Sequence, residues 1–267
     1  MSETAPAADA GKLPISVIAR IVMAALIVSA ISIFLGYTWL AGKTSRAIDH
    51  VVLGTLLAGP LLAVIGLVRR TSWGRWFGLG TSFAGLSILG AVVLVQRHRL
   101  EGLTDWRLLA TAGGFLLLGL CLVGRTMAEQ FEFRANSRGA WQGLRRERQA
   151  RVLNLVPILA LSATPMLVSV MTGLGGSVAR SVLAGVALLV TATGVGLLLA
   201  QRTAGMLLLI AAGVINAVLA VQMISATNLY FLTSVMWTMG YALIPAAIGG
   251  LLGIVALARP VVRSLRS

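Results

Sequence analysis

Residues 181–200 read SVLAGVALLVTATGVGLLLA, twenty positions without a charge, a proline or an amide. A helix rising 1.5 Å per residue covers about 30 Å over that length, the thickness of a bilayer's hydrocarbon core. Leucine, valine and alanine occur on every side of the turn, so the segment keeps no polar face for water. It reads as a membrane-crossing helix, and the remaining chain repeats the pattern. Seven further apolar runs lie at about 21–42, 51–68, 77–95, 108–124, 152–173, 204–227 and 234–258. The predicted fold is all-α, a polytopic transmembrane bundle of eight spans.

The bulk composition supports this assignment. The 267 residues are 58% apolar and 11% charged, with a mean hydropathy of +0.92. Soluble domains carry about 25% charged residues, so a soluble enzyme is excluded. The run after Arg20 exceeds a typical signal-peptide core and lacks a small-residue cleavage site, which makes it a retained span. The organisation expected is a cytoplasmic tail at 1–20, a four-helix half at 21–124, a basic cytoplasmic loop at 125–151, a second four-helix half at 152–258 and a cytoplasmic tail at 259–267.

The net charge of +14 comes from 22 Lys and Arg set against eight Asp and Glu. These basic residues occupy the gaps between spans, where they set topology and meet anionic headgroups; nucleic acid is not an expected partner. On one side fall 16 of them: Lys12, Arg20, Arg69, Arg70, Arg75, seven in 125–151, Arg202 and three after 258. The other side has six: Lys43, Arg46, Arg97, Arg99, Arg107 and Arg180. Positive residues are retained on the cytoplasmic side, which places both termini there. Compact loops and the lack of a glycosylation sequon point to a bacterial-type plasma (inner) membrane. Tyr37, Trp39, Trp73, Trp76, Trp106, Tyr230 and Trp237 all fall near proposed boundaries, where amphipathic rings prefer the headgroup level.

Residues 21–124 align with 152–255 at an offset of about 131. Arg20 falls on Arg151, Gly42 on Gly173, Gly54 on Gly185 and, with a small adjustment, Arg70–Thr71 on Arg202–Thr203. A 4+4 tandem repeat would give two halves of the same orientation. Any two sets of four Leu/Ala/Gly helices of similar length also align this way, so both origins stay open.

No Asp, Glu, Lys, Arg or His lies within the eight spans. A charge at mid-bilayer costs about 2.5–3.5 kcal/mol and is kept for function, so its absence argues against a proton-coupled pump. Haem ligation in the membrane needs imidazole at depth, and His50 and His98 sit at span ends. With Asp49, Glu101 and Asp105 on the same side they form a candidate metal-ligand set, although polar residues in loops are the ordinary case. Met166, Met171, Met223, Met236 and Met239 offer soft sulfur donors, but methionine more commonly fills apolar gaps. Cys121 is the single cysteine, and no intrachain disulfide exists. No phosphate-binding loop, catalytic triad or HExxH motif occurs. No cofactor, metal or enzymatic activity is expected.

Uncharged polar residues mark the interior. Asn216, Ala220, Met223 and Thr227 share one helical face, as do Ser162, Met166, Ser169 and Gly173. Such stripes serve helix packing or line a narrow cavity. Pro60, Pro157, Pro165 and Pro245 interrupt spans, and two of them make 152–173 the span expected to bend or break. If the molecule is a carrier, Ser162, Thr164 and Asn216 are its expected substrate contacts, and Asn216→Leu should impair it more than Asn154→Leu. In the loop 125–151, Arg145, Arg146, Arg148, Arg151 and Trp141 are the expected contacts to anionic lipid or a partner protein. The function expected is a non-catalytic membrane subunit or scaffold of a larger assembly, partnered by another membrane protein or by itself. The alternative is a carrier or channel for a small uncharged or lipidic molecule.

Overall fold

The computed structural model describes residues 13–41, 47–96, 106–131, 147–174, 176–200, 202, 204–225 and 230–264, and no strand occurs among them. The helices are α1 (Ile15–Ala41), α2 (Ala47–Val68), α3 (Ser72–Gln96), α4 (Trp106–Leu122), α5 (Arg125–Phe131), α6 (Glu147–Ser162), α7 (Thr164–Ser169), α8 (Val178–Leu199), α9 (Ala204–Ile224) and α10 (Tyr230–Ser264), with a π turn at Val170–Leu174 after α7. Six stretches are long and apolar enough to cross a membrane, and α4 with α5 makes a seventh if that bent pair is one span. Among the described side chains the apolar part of α2 is Gly54–Val68. The chain thus has the build of a multi-pass membrane protein with six to seven candidate spans, against the eight expected.

Helix limits differ from the sequence expectation at charged ends. The Pro14 carbonyl accepts from Val17 and Ile18, so α1 starts six residues early and takes Arg20 into the helix. The segment expected as a basic loop opens with α5 and closes inside α6, and α10 continues past Arg259 to Ser264.

Each half is a ring of four neighbours. In the first, α1 packs on α2, α2 on α3, α3 on α4 and α4 on α1; in the second, α7 packs on α8, α8 on α9, α9 on α10 and α10 on α6. The two halves repeat local geometry at an offset of 131. After α2, Arg69 N–H donates to Ile65 O (3.0 Å), Thr71 N–H to Gly66 O (2.9 Å) and Gly74 N–H to Thr71 O (3.2 Å). After α8, Ala200 donates to Gly196 O (3.0 Å), Arg202 to Leu197 O (2.8 Å) and Gly205 to Arg202 O (3.1 Å). Each pair of acceptors and donors is 131 positions apart. The bond spanning five residues in each turn is the helix-terminating Schellman bond, and Arg70 takes the left-handed conformation there (φ 55°).

Both turns bring a glycine onto backbone. A methyl group on Gly74 would collide with Gly66 and Leu67, and one on Gly205 would lie 2.5 Å from Leu198 N. Deeper in the bundle a methyl on Gly119 would meet Ser82 Cβ at 3.5 Å, and one on Gly250 would meet Gly213 Cα at 2.7 Å. These pairs also correspond at 131.

In lipid there is no hydrophobic drive between helices, and small residues let backbones gain dispersion contact instead. Gly213 and Gly250 fix the α9–α10 crossing in this way. Overpacking typically costs about 1–3 kcal/mol. Gly250→Leu is therefore expected to lower the thermal unfolding temperature in mild detergent. Gly90→Ala, at an exposed position with nothing within 4 Å of the added methyl, should leave it unchanged or slightly raised.

Candidate functional site

At the end of the bundle that carries Arg20, Arg75, Arg151 and Arg202, the last carbonyls of α4 are turned inward. A helix terminus leaves its final C=O groups without partners. The Arg75 guanidinium on α3 donates from Nε to Leu122 O at 3.1 Å, and Arg20 on α1 donates from Nη1 to Val123 O at 2.6 Å. Cations at a helix C-terminus also meet its negative dipole end. Arg75 is the buried charged side chain among the described residues. Gly124 (φ 128°) then redirects the chain by 69° into α5. There Met127 and Phe131 are buried beneath the bundle while Arg125 and Glu129 pair outward at 2.8 Å.

Trp76 belongs to this cluster. It was expected at the headgroup level, yet it is fully buried and its Nε1–H donates to Asn154 Oδ1 on α6 at 3.1 Å. This bond joins the two halves. Tyr37 and Trp237, by contrast, are exposed as expected at span ends.

The break in the second half falls where its second proline sits. Pro165 lies in the first turn of α7. At the step between α6 and α7, Ala163 N–H bonds Ala160 O (3.3 Å), a tighter turn that leaves Leu159 O without its usual donor. Ser162 Oγ donates to that carbonyl at 2.7 Å. Ser169 Oγ donates to Pro165 O at 2.6 Å, and Thr172 Oγ1 to Val168 O at 3.0 Å. From α8, Ser181 Oγ reaches the Val170 carbonyl in the π turn at 3.0 Å. Hydroxyls commonly re-satisfy irregular backbone at membrane depth. An open hollow of about 560 Å³ lies beside this turn, lined by Met171, Gly173, Ser177, Val178, Ser181, Val182 and Gly185. Its hydroxyls are engaged: Ser181 as above, and Ser177 accepting from Arg180 N–H at 3.3 Å.

Asn216 differs. It is 0% exposed on α9, and neither its amide nitrogen nor its amide oxygen has a hydrogen-bond partner. A buried amide left so costs about 1–3 kcal/mol. The residue 131 positions before Asn216 is Gly85, against which the Phe115 ring packs closely.

The sequence candidates are therefore distributed. Ser162 is buried and Thr164 half-buried at the break, and Asn216 is buried one helix away. α6 touches α9, whereas α7 packs mainly on α2 and α8. Asn154, expected to tolerate leucine better than Asn216, accepts the Trp76 bond. Arg151 is exposed on α6 and Arg148 lies in the same helix, whereas Trp141, Arg145, Arg146 and His98 lie outside the described residues, as does the side chain of His50. Met166, Met223 and Met239 are buried in apolar packing, Met236 is buried with its Sδ accepting from Arg180 Nη1 at 4.0 Å, and Met171 is exposed. No cluster of metal ligands occurs among the described residues. No family model, curated protein or solved structure matches the chain.

In membranes, interhelical hydrogen bonds average about 0.6 kcal/mol, with a maximum near 1.7. A double-mutant cycle of Trp76→Phe and Asn154→Leu, read from unfolding in mixed micelles, should give a coupling in that range. A coupling of zero would show that the bond does not join the halves.

Proposed function

We propose that the chain is a non-catalytic multi-pass membrane subunit or scaffold. The observation that supports it most is how the polar interior is used. The hydroxyls of Ser162, Ser169, Thr172 and Ser181 are given to backbone carbonyls at the break, and Arg20 and Arg75 to the end of α4. These groups complete the fold and none of them is left to convert or relay a substrate. In the same reading the bundle has eight spans, α2 and the α4–α5 pair included, and arose by tandem duplication; the matched turns and glycine contacts at an offset of 131 support this. The 16-to-6 distribution of Lys and Arg supports cytoplasmic termini in a bacterial-type inner membrane. Arg145, Arg146, Arg148 and Arg151, with Trp141, meet anionic headgroups at about 1 kcal/mol per basic residue.

Asn216 favours a second reading. An amide buried in apolar surroundings without partners is a place where a small uncharged or lipidic molecule would be recognised, which is the carrier function with Ser162 and Thr164 on the facing span.

Purification of the tagged chain from its own membranes in gentle detergent separates the two. The subunit reading expects a stable complex, with another membrane protein or with further copies, and expects Asn216→Leu to leave that complex intact and equally or more heat-resistant. A lone monomer that moves a solute in vesicles, and stops doing so as Asn216→Leu, would overturn it in favour of the carrier.

A further inference from the structure

The two halves meet asymmetrically. A two-fold axis between them would return every contact, matching α3 on α6 with α1 on α9 and α3 on α10 with α4 on α9. The main contacts are instead one-sided: α3 packs on α6 and α10, and α2 packs on α7. The join is head-to-tail, with the α2–α3 side of the first half against the α6, α7 and α10 side of the second. A heterologous contact of this kind uses up one face of each unit and leaves the complementary faces free. The free faces here are α8–α9 on the second half and α1–α4 on the first.

Residues at the join can be followed to those free faces by the offset of 131. On α3 the join uses Trp76 and Gly80. Trp76 bonds Asn154, and a methyl on Gly80 would lie 2.9 Å from Leu161 Cβ and 3.1 Å from Ile158 O. Their equivalents on α9 are Leu207, 53% exposed, and Ala211, also exposed. On α6 the join uses Asn154, Ile158 and Leu161, whose equivalents on α1 are Met23, 51% exposed, half-buried Ile27 and exposed Ala30.

The exchanges are matched across the two faces. Both members of the polar pair Trp76–Asn154 become apolar, as Leu207 and Met23. Where Ala211 adds a methyl relative to Gly80, Ala30 removes most of a leucine relative to Leu161.

We propose that copies of this chain associate through a second use of the same join, with Leu207 and Ala211 on α9 of one copy packed against Met23, Ile27 and Ala30 on α1 of the next. The inference rests on the subunit reading and on equivalence of the halves, and it names the partner as a second copy. Every copy then presents one used and one free face of each kind, so association propagates head-to-tail, and any ring it closes holds an even number of four-helix units.

The test is disulfide crosslinking in native membranes, in a Cys121→Ala background that removes the one native thiol. Differently tagged chains carrying Met23→Cys and Leu207→Cys are co-expressed and oxidised. A mixed covalent dimer is expected, and a chain carrying both cysteines should give a ladder of higher species. Leu61→Cys with Leu251→Cys is the comparison pair, exposed to a similar degree but on α2 and α10, which the join already uses. Adding Ala211→Trp should abolish the mixed dimer, while an unchanged unfolding temperature shows that each chain still folds. Crosslinking no greater than the comparison pair, together with a single-copy mass in nanodiscs, would overturn the proposal. If such a single copy still retains a different membrane protein on purification, the self-association fails while the subunit reading stands.

Discussion

A peptide carbonyl at membrane depth has no water to bond, so every place where a helix stops or bends needs a donor from within the protein. Much of this bundle's architecture answers that constraint. Arg75 and Arg20 close the end of α4, and with those carbonyls capped the chain can turn sharply at Gly124 and lay α5 under the bundle. Ser162 closes the gap left by the tightened turn at Ala163, and Ser181 reaches across from α8 to the π turn. Polar residues that resemble a binding stripe in the linear sequence are thereby committed to the backbone. Asn216 is the contrast, an interior amide with no such task.

Close approach does the rest of the work. Glycines at Gly213 and Gly250, and at Gly74 and Gly205, let backbones touch where a methyl group would collide. That contact supplies dispersion energy that lipid cannot match by exclusion alone. It recurs at one fixed offset of 131, together with the same turn hydrogen bonds. Gly85, 131 positions before Asn216, has the Phe115 ring packed against it instead of an amide.

Much of the fold was legible because length and hydropathy act residue by residue. The apolar runs located the helices, and Pro165 marked the step between α6 and α7, since a proline removes a donor whatever its surroundings; the sharp bend between α4 and α5 has no proline to announce it. The inward placement of Asn216 and Ser162 was also legible from helical spacing. Trp76 and Arg75 were not, because a boundary tryptophan or arginine has the same local pattern whether it meets headgroups or turns inward; only the neighbouring helix, with Asn154 or the Leu122 carbonyl, decides. The same limit hid α5, whose Met127 and Phe131 are too few to register as an apolar run. In the linear sequence charges flanking a span read as its limits, yet long side chains such as Arg20 can sit inside a helix and reach its neighbour's end. Six to seven candidates stand among the described residues in place of eight, because α4 bends at Gly124 before completing its run and the described apolar part of α2 begins at Gly54.

The central claim, an interior filled and committed to structure, is tested most directly by cysteine accessibility in intact membranes. Single cysteines are placed along 156–170 and 209–223 in the Cys121→Ala background and exposed to a small water-soluble thiol reagent from each side in turn. A filled interior leaves the inward positions, Ala212, Leu219 and Met223 among them, unreactive from both sides. Reaction recurring every third or fourth residue on the Asn216 face, and reached from one side or the other, would reveal a water-filled path and contradict the account.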